Sequence, residues 1–200
     1  IVSSASVSDQ GNIYVITSRK VGKGRASSTL HKVDQFGYPK WSYTFPDNGF
    51  TSGSPKVATV GNDTFIFVYV SVDASNNIRG ELFALRDDEY EASLLDRKAL
   101  GTCRFDNSNH AASLVAFWEE TWQWVSAFPV ELDEDNIALS DHFLDPTVAV
   151  VTGRKKTLIA IADNLCSLGV FEWDGVELSV LWHQEHDFEK HSSAMVSTNG

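Results

Sequence analysis

One nine-residue segment occurs twice in this sequence, at residues 3–11 and again at residues 192–200, with six of the nine positions identical. Looser copies at residues 54–62 and 145–153 keep the same valine and the same glycine. In a repeat array each copy folds as one small unit and buries its apolar face against its neighbours. The repeat therefore constrains the architecture strongly and the chemistry very little, because such arrays serve unrelated functions.

Each copy leads through a short polar turn into a second apolar run. These runs are residues 13–17, 64–70 and 157–162, and they are rich in β-branched and aromatic side chains. Two extended runs joined by a Gly/Asn-containing turn are typical of a β-hairpin. Because the second runs are apolar almost throughout, we predict that they are strands buried on both faces.

A third and a fourth run complete each unit, as at residues 28–34 and 39–45. Four short strands in about 45–50 residues is the period of a propeller blade, so we predict an all-β fold of four-stranded antiparallel blades. A degenerate copy is expected near residues 112–117. The predicted units are residues 1–50, 51–108, 109–142 (irregular), 143–190 and the start of a further unit at 191–200.

The third runs carry a family resemblance. Residues 80–85 read Gly-Glu-Leu-Phe-Ala-Leu, and residues 30–41 run from a leucine through Asp34 and Gly37 to Trp41. Both segments resemble the repeat of the PQQ-like (quinoprotein-like) β-propellers, which share the general architecture of WD40 and YVTN propellers. The resemblance implies a tryptophan that packs between neighbouring blades, and Trp41 and Trp182 are the candidates.

Length adds a further expectation. Propellers of this kind need six to eight blades to close, whereas 200 residues supply about four. Residues 192–200 also correspond to a first strand without its partner. We therefore expect this chain to be part of a larger propeller whose remaining blades are missing here, with a closed four-bladed form as the alternative.

The composition of the chain limits the classes of partner that it could bind. The formal net charge is −11, which argues against nucleic acid, because phosphate binding requires a Lys/Arg surface. No apolar run reaches the ~18 residues that a membrane span needs. Cys103 and Cys166 are expected to be unpaired buried thiols, although a bridge stays open. Asn62 heads a glycosylation sequon on a predicted turn. The sequence leaves the location of the protein unknown, with an extracytoplasmic one (periplasmic, secreted or lumenal) favoured over the cytoplasm.

The irregular unit contains the most unusual local sequence, with tryptophans at Trp118, Trp122 and Trp124. Exposed, they would form a recognition surface; buried between blades, they would be core residues. The cluster of His183 and His186 and the acidic stretch 131–136 are interpreted as polar connections rather than metal sites, because neither has the spacing of a known metal loop.

Two classes of function follow. The first is a non-enzymatic propeller that binds protein partners, as a scaffold or a subunit of a larger assembly. The second is a quinoprotein-type dehydrogenase that holds PQQ and calcium, and a carbohydrate-binding propeller is a further alternative. We favour the first, with no catalytic residue, cofactor or metal, because the segments expected to face the channel are small and apolar.

Overall fold

The chain forms stacked β-sheets. The computed structural model describes residues 5–22, 25–51, 53–74, 77–102, 147–152, 157–162 and 167–185. Within these ranges there are twelve strands and no helix, and the strands form three four-stranded antiparallel sheets, none closed into a barrel. The prediction of an all-β chain with four-stranded antiparallel sheets is confirmed.

Each sheet is a meander whose strands lie side by side in chain order. The first sheet contains β1 (Ser6–Val7), β2 (Ile13–Gly22), β3 (Arg25–Val33) and β4 (Pro39–Thr44). The second contains β5 (Lys56–Val60), β6 (Asp63–Ala74), β7 (Asn77–Asp87) and β8 (Ala92–Thr102). The third contains β9 (Thr147–Thr152), β10 (Thr157–Ala162), β11 (Ser167–Trp173) and β12 (Leu178–Glu185).

The sheets stack with equivalent strands next to one another. The first strands β1, β5 and β9 are in contact in that order, and so are the fourth strands β4, β8 and β12. The second sheet therefore lies between the first and the third. Residues 103–146 separate β8 from β9 in sequence, yet the second and third sheets pack directly on each other.

Strand β6 contributes apolar side chains to the cores on both faces of the second sheet. Its even-numbered apolar residues, Ile66, Val68, Val70 and Val72, join the core with the first sheet. Its odd-numbered residues, Phe65, Phe67 and Tyr69, join the core with the third sheet. Alternation along a strand sends successive side chains to opposite faces, so a continuous apolar run fills two cores at once. Each large side chain buried in this way contributes about 1.5–3 kcal/mol.

Burial on both faces holds for β6 and is wrong for the other two second strands. In β10, Ile159 and Ile161 are buried while Leu158, on the opposite face, is exposed. In β2, Tyr14 and Ile16 are buried while Thr17 is exposed. The physical reason is position in the stack, because only the second sheet has a described sheet on each side.

The predicted units 109–142 and 191–200 lie outside the described residues. The three sheets fall within the predicted units 1–50, 51–108 and 143–190. Closure into a ring stays a prediction.

Candidate interaction surface

Three equivalent turns connect the third strand of each sheet to the fourth. They comprise residues 34–38, 88–91 and 174–177. At the end of the strands where these turns lie, the first two sheets meet through the side chains of Gln10 and Thr64, whose hydroxyl donates to the Gln10 amide oxygen at 3.2 Å. The turns of the first two sheets therefore lie at the same end of the stack. The third turn lies beside β8, where Glu177 pairs with Lys98 and the Leu178 N–H donates to Asp96.

An aspartate organises each turn. The Asp34 carboxylate accepts hydrogen bonds from the backbone N–H groups of Phe36 and Tyr38, both at 2.9 Å. Asp174 accepts from the N–H groups of Val176 and Glu177, also at 2.9 Å. Aspartate is favoured at such positions because its short side chain can bond backbone groups two to four residues ahead. The turn backbones are thereby held in one conformation.

The aspartate of the second turn is held by side chains instead. Asp88 accepts from Arg86 Nε at 2.6 Å and from the Ser93 hydroxyl. The Ser93 and Arg86 bonds lower the pKa of Asp88, and the backbone bond from Tyr38 is the main cause of the lowered pKa of Asp34. Both carboxylates are thus kept ionised well into the acidic range.

Each of these turns exposes a large apolar side chain. Phe36 is 75% exposed, Tyr38 66%, Tyr90 80% and Val176 75%, and we call these four residues the turn rim. Single exposed apolar residues are ordinary on protein surfaces. Here they recur in the same turn of all three sheets, although none of them contributes to either core.

The turn rim lies in a negative field. The three turns contain six carboxylates and no basic residue: Asp34, Asp88, Glu89, Glu91, Asp174 and Glu177. Lysines and arginines on the adjoining strands partly offset them, with Lys40 3.0 Å from Asp34 and Lys98 3.1 Å from Glu177. Glu89 and Glu91, on either side of Tyr90, are exposed, and neither makes an ion pair within the described part of the chain.

Glu89 also adopts an unfavourable backbone conformation. Its φ is 67°, in the left-handed region, whereas the equivalent position of the third turn, one residue after the aspartate, is Gly175 with a φ of 106°. In the first turn the residue with positive φ is Gly37, three residues after Asp34, at 89°. A residue with a Cβ incurs a cost of about 1–2 kcal/mol in this region. The second turn therefore has a glutamate at a position where glycine would be less strained.

Just beneath the turn rim, a buried charged cluster joins the first two sheets. Asp87, at the end of β7, has its carboxylate 2.6 Å from Lys32 Nζ, and the two side chains are 4% and 6% exposed. The same carboxylate accepts from the Tyr14 hydroxyl at 2.5 Å and from the Trp41 indole N–H at 3.0 Å. It also accepts from the backbone N–H of Glu89 at 3.2 Å, which ties the cluster to the second turn.

This cluster is suited to support rather than to catalysis. Burial, followed by the hydrogen bond to Asp87, raises the pKa of Tyr14 far above its usual range. Asp87 is saturated by its donors and shielded from solvent, so it offers no accessible base. We therefore interpret the Asp87 cluster as a clamp between sheets.

A second polar group lies on the open face of the first sheet. His31 Nε2 is 2.7 Å from the Thr17 hydroxyl, and Nδ1 is 2.7 Å from the Ser42 hydroxyl. Burial lowers the pKa of His31. A serine nucleophile with a histidine base needs a third group, usually a carboxylate, to orient the ring. A hydroxyl stands in that position here, so the arrangement is typical of a cross-strand polar ladder.

The residues singled out from sequence fall in different places. Trp41 is buried in the core between the first two sheets. Trp182, on β12, is 44% exposed. The tryptophans at positions 118, 122 and 124, both cysteines, His186 and residues 131–136 lie outside the described residues, and their roles stay predictions.

The donor set does not favour metal or quinone chemistry in the described part of the chain. No group of three or more His, Cys, Asp or Glu side chains there could hold a metal ion. The described first strands Ser6–Val7 and Lys56–Val60 carry one cation, Lys56, and no carboxylate. An anionic quinone with calcium requires several carboxylate or amide oxygens, so these residues do not fit that pair.

Sequence reasoning missed both the turn rim and Asp87. A signal for the turns was present, since an aspartate follows each third run and a large apolar residue follows two positions later, as in Asp34-x-Phe36 and Asp88-x-Tyr90. No local signal marked Asp87 as buried, because its partners are 46 to 73 residues away.

No protein family matches the sequence, and no curated protein resembles it significantly. Among the described residues, no helix is long and apolar enough to cross a membrane.

Proposed function

We propose that this chain is a non-enzymatic interaction module of the β-propeller type, which binds protein partners through the turn rim as part of a larger assembly. The observation that carries the proposal is the turn rim itself. Three equivalent turns hold large apolar side chains in solvent, on backbones preorganised by aspartates. Rigid, exposed aromatic residues are the usual anchors of protein interfaces.

The propeller part of the proposal is supported by the stacking of equivalent strands. First strands meet first strands and fourth strands meet fourth strands, which is the order expected of successive blades around an axis. The resemblance of residues 80–85 to the PQQ-like repeat points the same way. In a propeller, spin labels on β1 and β5 (Val7 and Val60) should lie closer together than labels on β4 and β8 (Ser42 and Leu94); equal separations would contradict fanning blades.

Protein binding is tested by labelling proximal proteins in the cells that make the full chain, fused to a biotin ligase. The double variant Phe36→Ala/Tyr90→Ala should lose a defined set of labelled proteins. The matched control is Leu94→Ala, which removes an exposed apolar side chain from β8 that is not part of the turn rim. Both variants should unfold at the urea concentration of the parent, because exposed side chains outside the core change stability by less than about 0.5 kcal/mol. An unchanged set of labelled proteins would overturn the proposal.

Carbohydrate binding is the second candidate, favoured by the same exposed aromatic rings, since Tyr and Phe faces also stack on sugars. It differs in charge dependence. Neutral sugar binding would change little with salt, whereas binding of a charged protein segment would weaken as salt is raised.

A further inference from the structure

The chemistry of the turn rim specifies the partner more narrowly than "a protein". We propose that the turn rim binds a basic, extended segment of a protein partner, with Tyr90 as the aromatic anchor and Glu89 and Glu91 as its counter-charges. This inference rests on the proposed function and deepens it.

Charge complementarity is the first argument. The turns contribute six carboxylates and no cation, and the chain as a whole carries a net charge of −11. The adjoining basic residues Lys40, Arg86 and Lys98 are already paired with Asp34, Asp88 and Glu177. The carboxylates left to receive a partner's charge flank Tyr90. A Lys or Arg side chain placed there would contact both a carboxylate and the face of a tyrosine ring.

The backbone of the second turn is the second argument. Glu89 occupies the left-handed conformation that the first and third turns give to glycine. Its N–H is held by Asp87, the centre of the buried cluster, so the carboxylate is presented from a fixed backbone. A strained residue kept in place by its surroundings is characteristic of functional positions. The strain is explained if the Glu89 side chain is needed.

The alternation of apolar and charged groups is the third argument. Tyr90 lies between two glutamates, and Val176 lies beside Glu177. A partner segment that alternates basic and apolar side chains would match this pattern. An acidic segment would be repelled by every turn.

The test uses the full chain and a fluorescein-labelled peptide of alternating lysine and leucine, followed by anisotropy. We expect binding that weakens as salt is raised, and no binding of the matching glutamate–leucine peptide. The double variant Glu89→Gln/Glu91→Gln and the variant Tyr90→Ala should each weaken binding by about tenfold. Asp47→Asn, which removes a carboxylate at the opposite end of the sheets, is the matched control and should leave binding unchanged.

A second variant separates function from folding. Glu89→Gly relieves the strained backbone and removes the carboxylate, so it should raise the urea midpoint while weakening peptide binding. Equal affinity of the parent and the Glu89→Gln/Glu91→Gln variant, or equal binding of the acidic peptide, would overturn the inference.

The labelling experiment keeps the two proposals apart. If labelled proteins are lost with Phe36→Ala/Tyr90→Ala but retained with Glu89→Gln/Glu91→Gln, the interaction function stands and the basic partner is wrong. If neither variant changes the labelled proteins, the interaction function itself is wrong.

Discussion

The two interfaces between the sheets are built differently. The first and second sheets meet through an apolar core and the buried Asp87 cluster, in which Tyr14, Lys32 and Trp41 donate to one carboxylate. The second and third sheets meet through packed aromatic rings, with Trp173 edge-on to Phe65 and Phe67 at centroid distances of 5.6 and 6.0 Å. Their polar contacts are less buried than Asp87: the Leu178 N–H donates to Asp96 at 2.8 Å, and Lys98 pairs with Glu177 at 3.1 Å. Within the described part of the chain, the Trp173 indole N–H has no hydrogen-bond partner.

The two interfaces differ in how strictly they define the relative position of the sheets that they join. A buried carboxylate with several donors is satisfied in one register only, because any shift leaves a charge unpaired in a low-dielectric interior. Aromatic packing defines the relative position of the sheets less strictly, because many slightly different arrangements of the rings bury a similar apolar area. The first interface therefore defines the position of the sheets beneath the turn rim, and the second contributes mainly burial.

The largest effect is expected from Asp87→Ala. It leaves the Lys32 ammonium buried without its counter-ion, so the free energy of unfolding should fall by about 3–5 kcal/mol. Urea unfolding followed by tryptophan fluorescence measures this loss. The control is Asp47→Asn, because asparagine tolerates the positive φ of 55° at this position. It removes only the exposed pair with Arg97 at 2.9 Å, which should contribute about 0–1 kcal/mol. Equal losses of unfolding free energy for the two variants would contradict the proposed difference between the interfaces.

A steric change tests the second interface. A Cβ added at Gly80 would lie 1.7 Å from Tyr69 Oη, a side chain of the core with the third sheet. Gly80→Ala should therefore reduce the free energy of unfolding by about 1–3 kcal/mol through overpacking. Tyr69→Val itself lowers stability by leaving a cavity, but in that background Gly80→Ala should cost much less than in the parent, because the clash is removed. Strictly additive losses would show that the Tyr69 ring does not occupy this position.

Alkaline pH should act on the first interface through Tyr14. Burial raises the pKa of Tyr14 above its unfolded value of about 10, so the fold favours the neutral phenol. This contribution is fully present below pH ~10 and is lost as the pH rises above that value. The alkaline loss of stability should be reduced in Tyr14→Phe by about 1 kcal/mol near pH 11. Identical unfolding profiles for parent and variant across pH 9–11 would contradict the role of Tyr14.

The smallest effect concerns the link between the first interface and the turn rim. Glu89→Gly should raise the free energy of unfolding by about 0.5 kcal/mol, since relief of the left-handed strain exceeds the entropy that glycine adds to the unfolded chain. Thermal unfolding of the full chain measures this gain, and Glu91→Gly, which has no such strain to relieve, should be neutral or destabilising. A loss of stability in Glu89→Gly would show that its side chain serves the fold.

The local sequence was sufficient to predict where the second strand of each sheet lies. The runs at residues 13–17, 64–70 and 157–162 are apolar and β-branched, and each became the second strand of a sheet. The hairpin turn at Gly61 and Asn62 was equally readable, since Val60 pairs with Asp63 across it and Gly61 has a φ of 64°. These features depend on neighbours a few residues apart, which a sequence pattern contains directly.

The burial of individual side chains could not be predicted from the local sequence in the same way. The second strands of all three sheets have similar composition, yet only β6 is covered on both faces, because stacking order decides how many neighbours a sheet has. Asp87 follows an arginine and precedes an aspartate, so its sequence context indicates a solvated turn. Its burial depends on donors from three strands of another sheet.

By itself, the sequence determined the repeat, the four-strand unit and the aspartate turns, because each follows from short-range periodicity and turn chemistry. The tertiary structure alone decided that the third turn lies against β8, that Tyr90 stands in solvent between two carboxylates, and that Asp87 is enclosed beneath the second turn. Those outcomes arise from contacts between sheets, where side chains far apart in the chain exclude water together, and no local pattern encodes them.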